Sequence, residues 1–435
     1  MTEREREQQL QNKRSMVVHV LSGISVLLLV AIFYSPIWWV SLTAPNYPAE
    51  SFPDGVKINF HVNGVFNGCK LQNKAEIEEE KALDCVHEMD AINHFVGMFP
   101  IASGGVVERM FGPFLFGLLI VMLIGFNLYD PKRRMIVMSG GFLLIAVAMY
   151  LTYYGKGGIH YQTKGFLDSM VTSLGQGHEE EGEAISPIIE KLQESLRESG
   201  IGVDANSDEF QKSLKKSGQK RLSDIISRLE EGSGKVGGDS KTLKQILAEA
   251  KTSTKSGKEL NIDVLKGAFA ADQARKNKGE GVEWIGTGRQ VMSWHYEKAL
   301  GRWFNNPEIN QPMVKTITLA GDVLFWVVVL GMVFLVYAGH NNGLLHWLLI
   351  LVPMALPVFF IIEYASWLWW YGHTLNIMGA FTLKPFMPTV FGQGKVAQFT
   401  THSYPAIGFG LMMLMAALLV LAALIRRKQL SEQDA

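Results

Sequence analysis

Histidine and methionine side chains stand out in two segments that lie far apart in the chain. The first segment carries His94 and Met98, and the second carries His373, Met387 and His402. If residues 89–98 form a helix, His94 and Met98 lie one turn apart on the same face. An imidazole beside a soft thioether suits copper, and a single His or Met can also be an axial ligand of haem. The five residues therefore predict a metal site, with copper favoured over haem, provided that the two segments meet.

The same residues also have a purely structural interpretation. His94 could satisfy polar backbone groups where the chain re-enters a membrane, and Met98 could be a core or lipid-facing residue. A haem within a membrane would need two histidines on facing helices, and the other histidines near apolar runs are His19, His340 and His346. Nothing else converges on those three, so haem is the weaker alternative.

The chain has only two cysteines, Cys69 and Cys85. That number excludes zinc ribbons, iron–sulfur cages and CxxCH haem attachment. Both cysteines lie in a segment that is expected to face an oxidising compartment, which predicts a disulfide closing a loop of about 15 residues. The alternative is a thiolate copper site assisted by His87, Met89 and His94.

Glu363 lies inside an apolar run, where an acidic side chain is costly and usually has a partner or a function. Asp322, in the preceding run, is its most obvious counterpart, and neither acid has an evident basic partner in the predicted spans. A hydrogen-bonded structural carboxylate and a proton relay both fit this position.

The elements that must position these residues follow from the distribution of charge. Of the 435 residues 48% are hydrophobic and 19% are charged, and the charges avoid several long stretches. An apolar run of about 20 residues can cross a bilayer. The pattern predicts an α-helical integral membrane protein with about six transmembrane helices: one at 16–42, two within 111–154, two within 313–371 and one at 405–425.

Basic residues indicate how these helices are oriented. They lie in a short turn at 131–134 and in the tail 426–435, and basic residues in short loops stay on the cytoplasmic side. Both termini, 1–15 and 426–435, are therefore predicted to be cytoplasmic in a bacterial inner membrane. The segments 43–110, 155–312 and 372–404 are then periplasmic.

The three periplasmic segments differ in character. Residues 56–62 alternate between apolar and polar, so 43–110 is predicted to be a small strand-containing cap. The segment 372–404 is rich in Pro, Gly and aromatic residues and predicts an ordered loop. The segment 155–312 contains amphipathic pieces such as 185–196, 222–229 and 243–247, which predict a helical insertion, either solvated or docking a partner.

Several functional classes find no support in the sequence. Lys plus Arg equal Asp plus Glu at 41 each, and there is no arginine-rich stripe, so a nucleic-acid partner is not expected. The chain shows no nucleophile–base pair, no paired catalytic carboxylates and no nucleotide fingerprint. An enzymatic activity is therefore not predicted.

Four short motifs carry a resemblance to a known family. They are Ala44-Pro45-Asn46-Tyr47-Pro48, 92–98 (Ile-Asn-His-Phe-Val-Gly-Met), 371–376 (Tyr-Gly-His-Thr-Leu-Asn) and the stretch from Phe386-Met387-Pro388 to Phe399-Thr400. The chain resembles a poorly characterised family of multi-pass bacterial membrane proteins with the patterns A-P-x-Y-P, I-N-x-L-N-H-Y-I-G-M and Y-G-H-x-L-[DN]. The family is associated with gene clusters for nitrous oxide reductase and related periplasmic copper or cytochrome systems.

The resemblance covers about a third of the chain and implies an accessory role. Residue by residue, it carries over His94, Met98 and His373, while 155–312 and 63–88 have no counterpart in its patterns. The first functional hypothesis is a membrane accessory that supports maturation, by copper or cofactor handling, or electron supply of a periplasmic metalloenzyme or cytochrome. The alternatives are a cofactor-free scaffold that docks a partner through 155–312, and an electron-transfer subunit that binds haem or quinol.

Overall fold

A computed structural model describes residues 3–70, 73–74, 77–78, 83–100, 105–174, 257–276, 281–304, 306–379, 385–396 and 398–432. The chain divides into two compact units. The first unit contains Met1–Met170 and Ile285–Ala435, and the second contains Val171–Trp284. The insertion is therefore shorter as a separate unit than the predicted 155–312.

Helices dominate the described part of the first unit. In chain order they are α1 (Glu3–Tyr34), α2 (Cys85–Val96), α3 (Val106–Asn127), α4 (Pro131–Tyr153), α5 (164–174 as described, continuing into the second unit), α7 (Gly288–Trp303), α8 (Pro307–Ala338), α9 (Leu348–Met354), α10 (Leu356–His373) and α11 (Ile407–Ser431). Within the described residues α1, α3, α4, α8 and α11 are long and apolar enough to cross a membrane, and α9 with α10 makes a sixth span if that bent pair is one.

The second unit contains α6 (Gly257–Ala274) in its described part. Phe269 of this helix packs edge-on against Trp284, with ring centroids 5.2 Å apart. The amphipathic pieces predicted at 185–196, 222–229 and 243–247 lie outside the described residues.

A five-stranded antiparallel sheet joins the first and last outward segments of the prediction. Its strands are β1 (Trp38–Thr43), β2 (Val56–His61), β3 (Gly64–Asn67), β6 (Gly392–Val396) and β7 (Phe399–Pro405), in the order β3-β2-β1-β7-β6. A separate pair contains β4 (Asn73–Lys74) and β5 (Ile77–Glu78). The strand expected near 56–62 is thus present as β2, and the loop expected at 372–404 contributes two further strands.

The sheet is continuous with the two terminal helices. The first helix was expected to extend to residue 42, but α1 ends at Tyr34 and the chain continues as β1. Pro36 explains the break, because the residue before a proline is disfavoured in the helical conformation. The Gly408 N–H at the start of α11 donates to the Pro36 carbonyl oxygen. A Cβ atom added at Gly408 would lie 2.7 Å from the same oxygen, so a larger residue would be too close.

Basic residues meet at the end of the helical bundle opposite the sheet. Near the start of α1 Arg14 forms an ion pair with Glu432, and Gln429 of α11 donates to the Gln11 carbonyl. The helix α11 runs through Arg426 to Ser431, so the tail predicted to begin at 426 is helical. Arg426 of α11 also lies over the ring of Tyr129, and Arg134 at the start of α4 contacts the 339–346 loop, so the end of α11, this loop and the 131–134 turn lie together.

One face of the sheet packs on α2 and α10 to form a buried core. Its centre contains Trp38, Ile58, Met89, Ile92 and Leu368. The indole N–H of Trp38 donates to the Ser403 hydroxyl at 2.8 Å, which satisfies the polar atom of an otherwise apolar side chain. This core fixes α2 and α10 against the sheet.

Cys69 and Cys85 form a disulfide, as the sequence predicted. Their Cα atoms are 6.0 Å apart, within the range that disulfides adopt. The bond ties the segment after β3 to the first residue of α2, where the Asp84 carboxylate caps the helix by accepting from the Val86 and His87 N–H groups.

Removing this disulfide is expected to destabilise the sheet and α2. Chain-entropy arguments give a loss of about 3 kcal/mol for a loop of this size. Thiol labelling of denatured protein should detect free cysteine only after reduction, and a Cys69→Ser/Cys85→Ser variant should unfold at lower temperature. Two free thiols in unreduced protein would contradict the assignment.

Candidate functional site

A bend between two consecutive helices opens space inside the helical bundle. The axes of α9 and α10 differ by 61° across a break at Ala355. Pro353 within α9 and Pro357 at the start of α10 explain the break, because proline lacks the N–H that a helix interior needs. The helix α9 packs against α3 and α11, whereas α10 packs against α11 and the sheet core.

A cavity of about 480 Å³ fills the space beside this bend, and we call it the α3–α10 cavity. Its walls come from α3, α10, the β2–β3 hairpin, α11 and the segment between α1 and β1. Most of the lining is apolar, namely Ile37, Phe60, Val62, Val65, Leu115, Phe116, Leu119, Leu356, Phe359, Phe360, Ile362, Leu368 and Met412. A volume of this size is typical of small-molecule sites.

Two carboxylates stand on the wall of this apolar cavity. Glu108 comes from the first turn of α3, and Glu363 comes from the middle of α10. One oxygen of each carboxylate and the indole nitrogen of Trp367 lie within 4 Å of the point where a side chain at Gly105 would begin. Gly105 has φ +61°, a conformation that favours glycine, so this residue leaves the space between the acids open.

A buried arginine accompanies the two acids. Arg109 is 9% exposed, and its Nε donates to the Gly105 carbonyl at 3.2 Å. It interacts electrostatically with Glu108, Glu363 and Asp90, the last of which lies on α2. Charge is therefore partly balanced here, which lowers the cost of placing acids in apolar surroundings. The Oε2 atom of Glu108 is buried and has no hydrogen-bond partner among the described residues.

Asp322, which the sequence suggested as the counterpart of Glu363, has other partners. Asp322 of α8 forms an ion pair with Arg289 at 2.9 Å and accepts a hydrogen bond from the Tyr154 hydroxyl at 2.9 Å. Glu363 instead has Glu108 and Arg109 as its charged neighbours. The sequence prediction missed them because it began the second span at residue 111, whereas α3 begins at Val106 and brings residues 108 and 109 into the bundle.

His61 and two tyrosines complete the polar part of the cavity wall. Burial lowers the pKa of His61, so its imidazole is neutral at neutral pH. The Tyr364 hydroxyl contacts the Ser403 hydroxyl at 3.3 Å, and the Tyr371 hydroxyl donates to the Pro100 carbonyl at 3.4 Å. These contacts anchor α10 to the sheet and to the segment that follows α2.

The acid pair also lines a second cavity, of about 740 Å³. It shares Glu108, Glu363 and Trp367 with the first cavity. Its remaining walls come from α7, α8 and α10, including Tyr296, Met313 and Trp370. The two acids and Trp367 therefore line both cavities.

The segments that carry the predicted copper ligands do meet in the structure. The Asn376 N–H donates to the Gly97 carbonyl at 2.7 Å, which joins the residues after α10 to the end of α2. However, α2 ends at Val96 and Gly97 adopts φ +94°. Met98 therefore lies beyond the helix, and the expected i, i+4 pairing with His94 is wrong.

The five predicted ligands have different surroundings. His94 packs against Trp303 and Phe304, while Met98 is buried. His373 stacks on Trp369 with ring centroids 4.4 Å apart and donates from Nδ1 to the Trp369 carbonyl at 2.7 Å. His402 lies in β7 opposite Ser41 and Gln393, and Met387 is exposed.

None of the contacts between described residues joins two of these five side chains. Within the same part of the chain, no group of three or more His, Cys, Asp and Glu residues is arranged to hold a metal ion. That criterion leaves methionine out, so the mixed His and Met site stays a prediction. The acid pair with Arg109 is the more complete polar arrangement.

A buried histidine beside the second cavity should make stability depend on pH. His295 of α7 contacts the Met170 carbonyl through Nε2 at 3.0 Å. Burial lowers the pKa of His295 to about 4. The bond to Met170 opposes this shift, whereas the positive charges of Arg109 and Arg302 add to it. The unfolded chain, with a His pKa near 6.5, takes up the proton first as pH falls. The neutral His295 side chain therefore contributes fully to the free energy of unfolding above about pH 6.5. As the pH falls towards 4, the free energy of unfolding decreases by roughly 3 kcal/mol.

The measurement is the unfolding temperature in detergent at about pH 7.5 and about pH 5. A His295→Gln variant keeps an N–H donor for Met170 but cannot titrate. We expect a smaller loss of stability on acidification in this variant than in the parent. Equal losses in both proteins would show that His295 does not control the acid response.

Comparisons with protein-family models, with curated proteins and with solved structures found no match to this chain. Sequence reasoning singled out Glu363 but missed Glu108 and Arg109. An acid followed by a base just before an apolar run was the signal that could have identified them.

Proposed function

We propose that this chain is an accessory protein of the bacterial inner membrane that binds a quinol-class lipid in the α3–α10 cavity and supports electron supply to a periplasmic metalloenzyme or cytochrome. The observation that carries the proposal is the pair of carboxylates, Glu108 and Glu363, on an otherwise apolar wall. The sheet end of the bundle faces the periplasm in this proposal, and the basic end faces the cytoplasm.

A quinol matches the chemistry of this wall better than other membrane lipids do. It is a neutral, apolar ring with hydroxyl donors, and carboxylates are strong acceptors for such donors. A phospholipid headgroup would bring its phosphate against two acids, which is unfavourable. The indole N–H of Trp367 supplies a donor on the same wall, and the cavity can hold a ring with the start of an isoprenoid tail.

The proposed reaction balances without a further group in this chain. Quinol oxidation releases two electrons and two protons, giving the quinone. The carboxylates of Glu363 and Glu108 are placed to accept the protons. The electrons pass to the periplasmic metalloenzyme or cytochrome that the family resemblance implies as a partner.

Tryptophan fluorescence tests whether the cavity binds this class of ligand. Quinones quench indole fluorescence at short range, and Trp367 lies on the cavity wall. Titrating the purified protein with a short-chain benzoquinone should give saturable quenching that is reduced in Trp367→Phe. Trp326→Phe is the matched control, because Trp326 is exposed on α8 and is not among the residues lining either cavity. Non-saturable quenching that is equal in both variants would contradict binding at the cavity.

Copper or cofactor handling is the second candidate function. The hydrogen bond between Asn376 and Gly97 favours it, because it joins the two segments that carry His94 and His373. Cu(I) binding should then fall in His94→Ala and His373→Ala but not in His160→Ala, which alters an exposed histidine outside the two segments. Unchanged copper binding in the first two variants would contradict copper handling at these residues, and quinol binding would then be the single remaining proposal.

A further inference from the structure

Two buried arginines lie together at the end of the bundle opposite the sheet. Arg134, in the first turn of α4, is completely buried, and Arg426, near the end of α11, is 3% exposed. The two guanidinium groups are close enough to repel each other electrostatically. Neither residue belongs to the cavities described above.

Among the described residues, the hydrogen-bond partners of Arg134 are uncharged groups. Its guanidinium donates to the carbonyls of residues 128, 129, 339 and 341, to the Asn342 side chain at 2.6 Å and to Nδ1 of His346 at 2.7 Å. These bonds satisfy the N–H groups, but they do not neutralise the charge. The nearest acid in sequence, Asp130, attracts the Arg134 charge electrostatically, but its ion pair is with the exposed Arg133, at 3.7 Å.

Arg426 is less satisfied than Arg134. Its guanidinium lies over the ring of Tyr129, 5.0 Å from the centroid, and such a contact attracts the cation but does not neutralise its charge. The Nε atom is buried and has no hydrogen-bond partner among the described residues. Within that part of the chain neither arginine is in an ion pair with a carboxylate.

Two buried positive charges are costly when neither forms an ion pair with a carboxylate, so this end of the bundle favours the binding of an anion. Exposed basic residues surround it, namely Lys132, Arg133, Arg427 and Lys428. The apolar helices α3, α4 and α11 converge here, which places the arginines where a membrane would meet the cytoplasm in the proposed orientation. Basic pockets between helices on that side are suited to anionic headgroups.

We propose that Arg426 binds the phosphate group of an anionic phospholipid and that the positive charge of the neighbouring Arg134 adds to the attraction. The Nε–H of Arg426 donates to a phosphate oxygen, and the guanidinium supplies the opposite charge. A free phosphate ion has the same chemistry, but the surrounding apolar helices favour a phosphate that carries acyl chains. This site is independent of the quinol proposal, since it lies at the other end of the bundle.

Native mass spectrometry of the full chain in detergent tests the proposal. The protein is titrated with phosphatidylglycerol and with phosphatidylcholine of the same acyl chains, so that only the headgroup differs. We expect phosphatidylglycerol to bind at least about tenfold more tightly to the parent protein, as a charge-assisted bond in a buried site allows. Equal affinity for the two lipids would overturn the proposal without any variant.

Substitutions then locate the site. Arg426→Gln should reduce phosphatidylglycerol binding to the level of phosphatidylcholine, and Arg426→Lys should retain most of the preference. Arg427→Gln removes the same charge from the exposed neighbouring residue and should leave the preference within about twofold. An equal loss in Arg427→Gln and Arg426→Gln would mean that diffuse surface charge attracts the lipid, which contradicts the buried site.

A final titration separates the two sources of phosphate. Inorganic phosphate at millimolar concentration should not displace bound phosphatidylglycerol. Full displacement of phosphatidylglycerol would overturn the lipid assignment and would show that the Arg426 site binds free phosphate.

Discussion

Replacing Glu363 with glutamine is expected to weaken quinol binding by roughly 10–100-fold. A hydrogen bond from a hydroxyl to a charged acceptor contributes about 1.5–3 kcal/mol, and glutamine replaces the charged acceptor with a neutral amide. Binding of the matching quinone should change much less, because the quinone has no hydroxyl to donate. The measurement is a fluorescence titration of parent and variant with a short-chain quinol and with its quinone.

The control for this substitution is Glu308→Gln. Glu308 is an exposed acid in the first turn of α8 and is not among the residues lining either cavity. Its variant should bind the quinol like the parent protein. If Glu363→Gln and Glu308→Gln bind equally well, the carboxylate does not recognise the ligand. A parallel loss of quinol and quinone binding in Glu363→Gln would instead indicate a damaged cavity.

Replacing Arg134 with glutamine should destabilise the helical bundle by roughly 3–5 kcal/mol. The substitution leaves several buried carbonyls between residues 128 and 341 without donors, and each such group costs about 1–3 kcal/mol. The loop 339–346 would also lose its attachment to the start of α4. The unfolding temperature in detergent should fall clearly.

Arg133→Gln is the matched control, since it changes the preceding residue by the same chemistry. The Arg133 side chain is 82% exposed and forms an ion pair with the neighbouring Asp130. Its loss should alter stability by less than about 0.5 kcal/mol. Equal unfolding temperatures for the Arg134 and Arg133 variants would show that the buried bonds contribute little.

The long helices could be predicted from the sequence because the length of an apolar run depends on local composition alone. The strand β2 was also predictable from a local pattern, because residues 56–62 alternate between apolar and polar side chains. The end of α2 was also signalled, because Gly97 suits the left-handed position that ends a helix. Taking His94 and Met98 as one helical face ignored that signal.

Other features depend on contacts that no local pattern records. The strand β6 (Gly392–Val396) contains two glycines and has little strand propensity of its own, and it is held by pairing with β7. The α3–α10 cavity depends on the angle between α9 and α10. Pro353 and Pro357 indicate a break, but they do not set its size.

The candidate site shows the same division. Glu363 could be identified because an acid in an apolar run is exceptional. Its neighbours Glu108 and Arg109 could not be paired with it, because they lie about 250 residues earlier and only the packing of the helices brings them together.

The most direct test of the proposed function is to identify what the cavity holds in the cell. The protein is purified from bacterial membranes in mild detergent, extracted with organic solvent and assayed for isoprenoid quinones by mass spectrometry. We predict a near-stoichiometric amount of quinone in the parent protein and a large reduction in Glu108→Gln/Glu363→Gln, with the Glu308→Gln control unchanged. A quinone content no higher than that of an unrelated membrane protein prepared in the same way, or one unaffected by loss of both acids, would contradict the account.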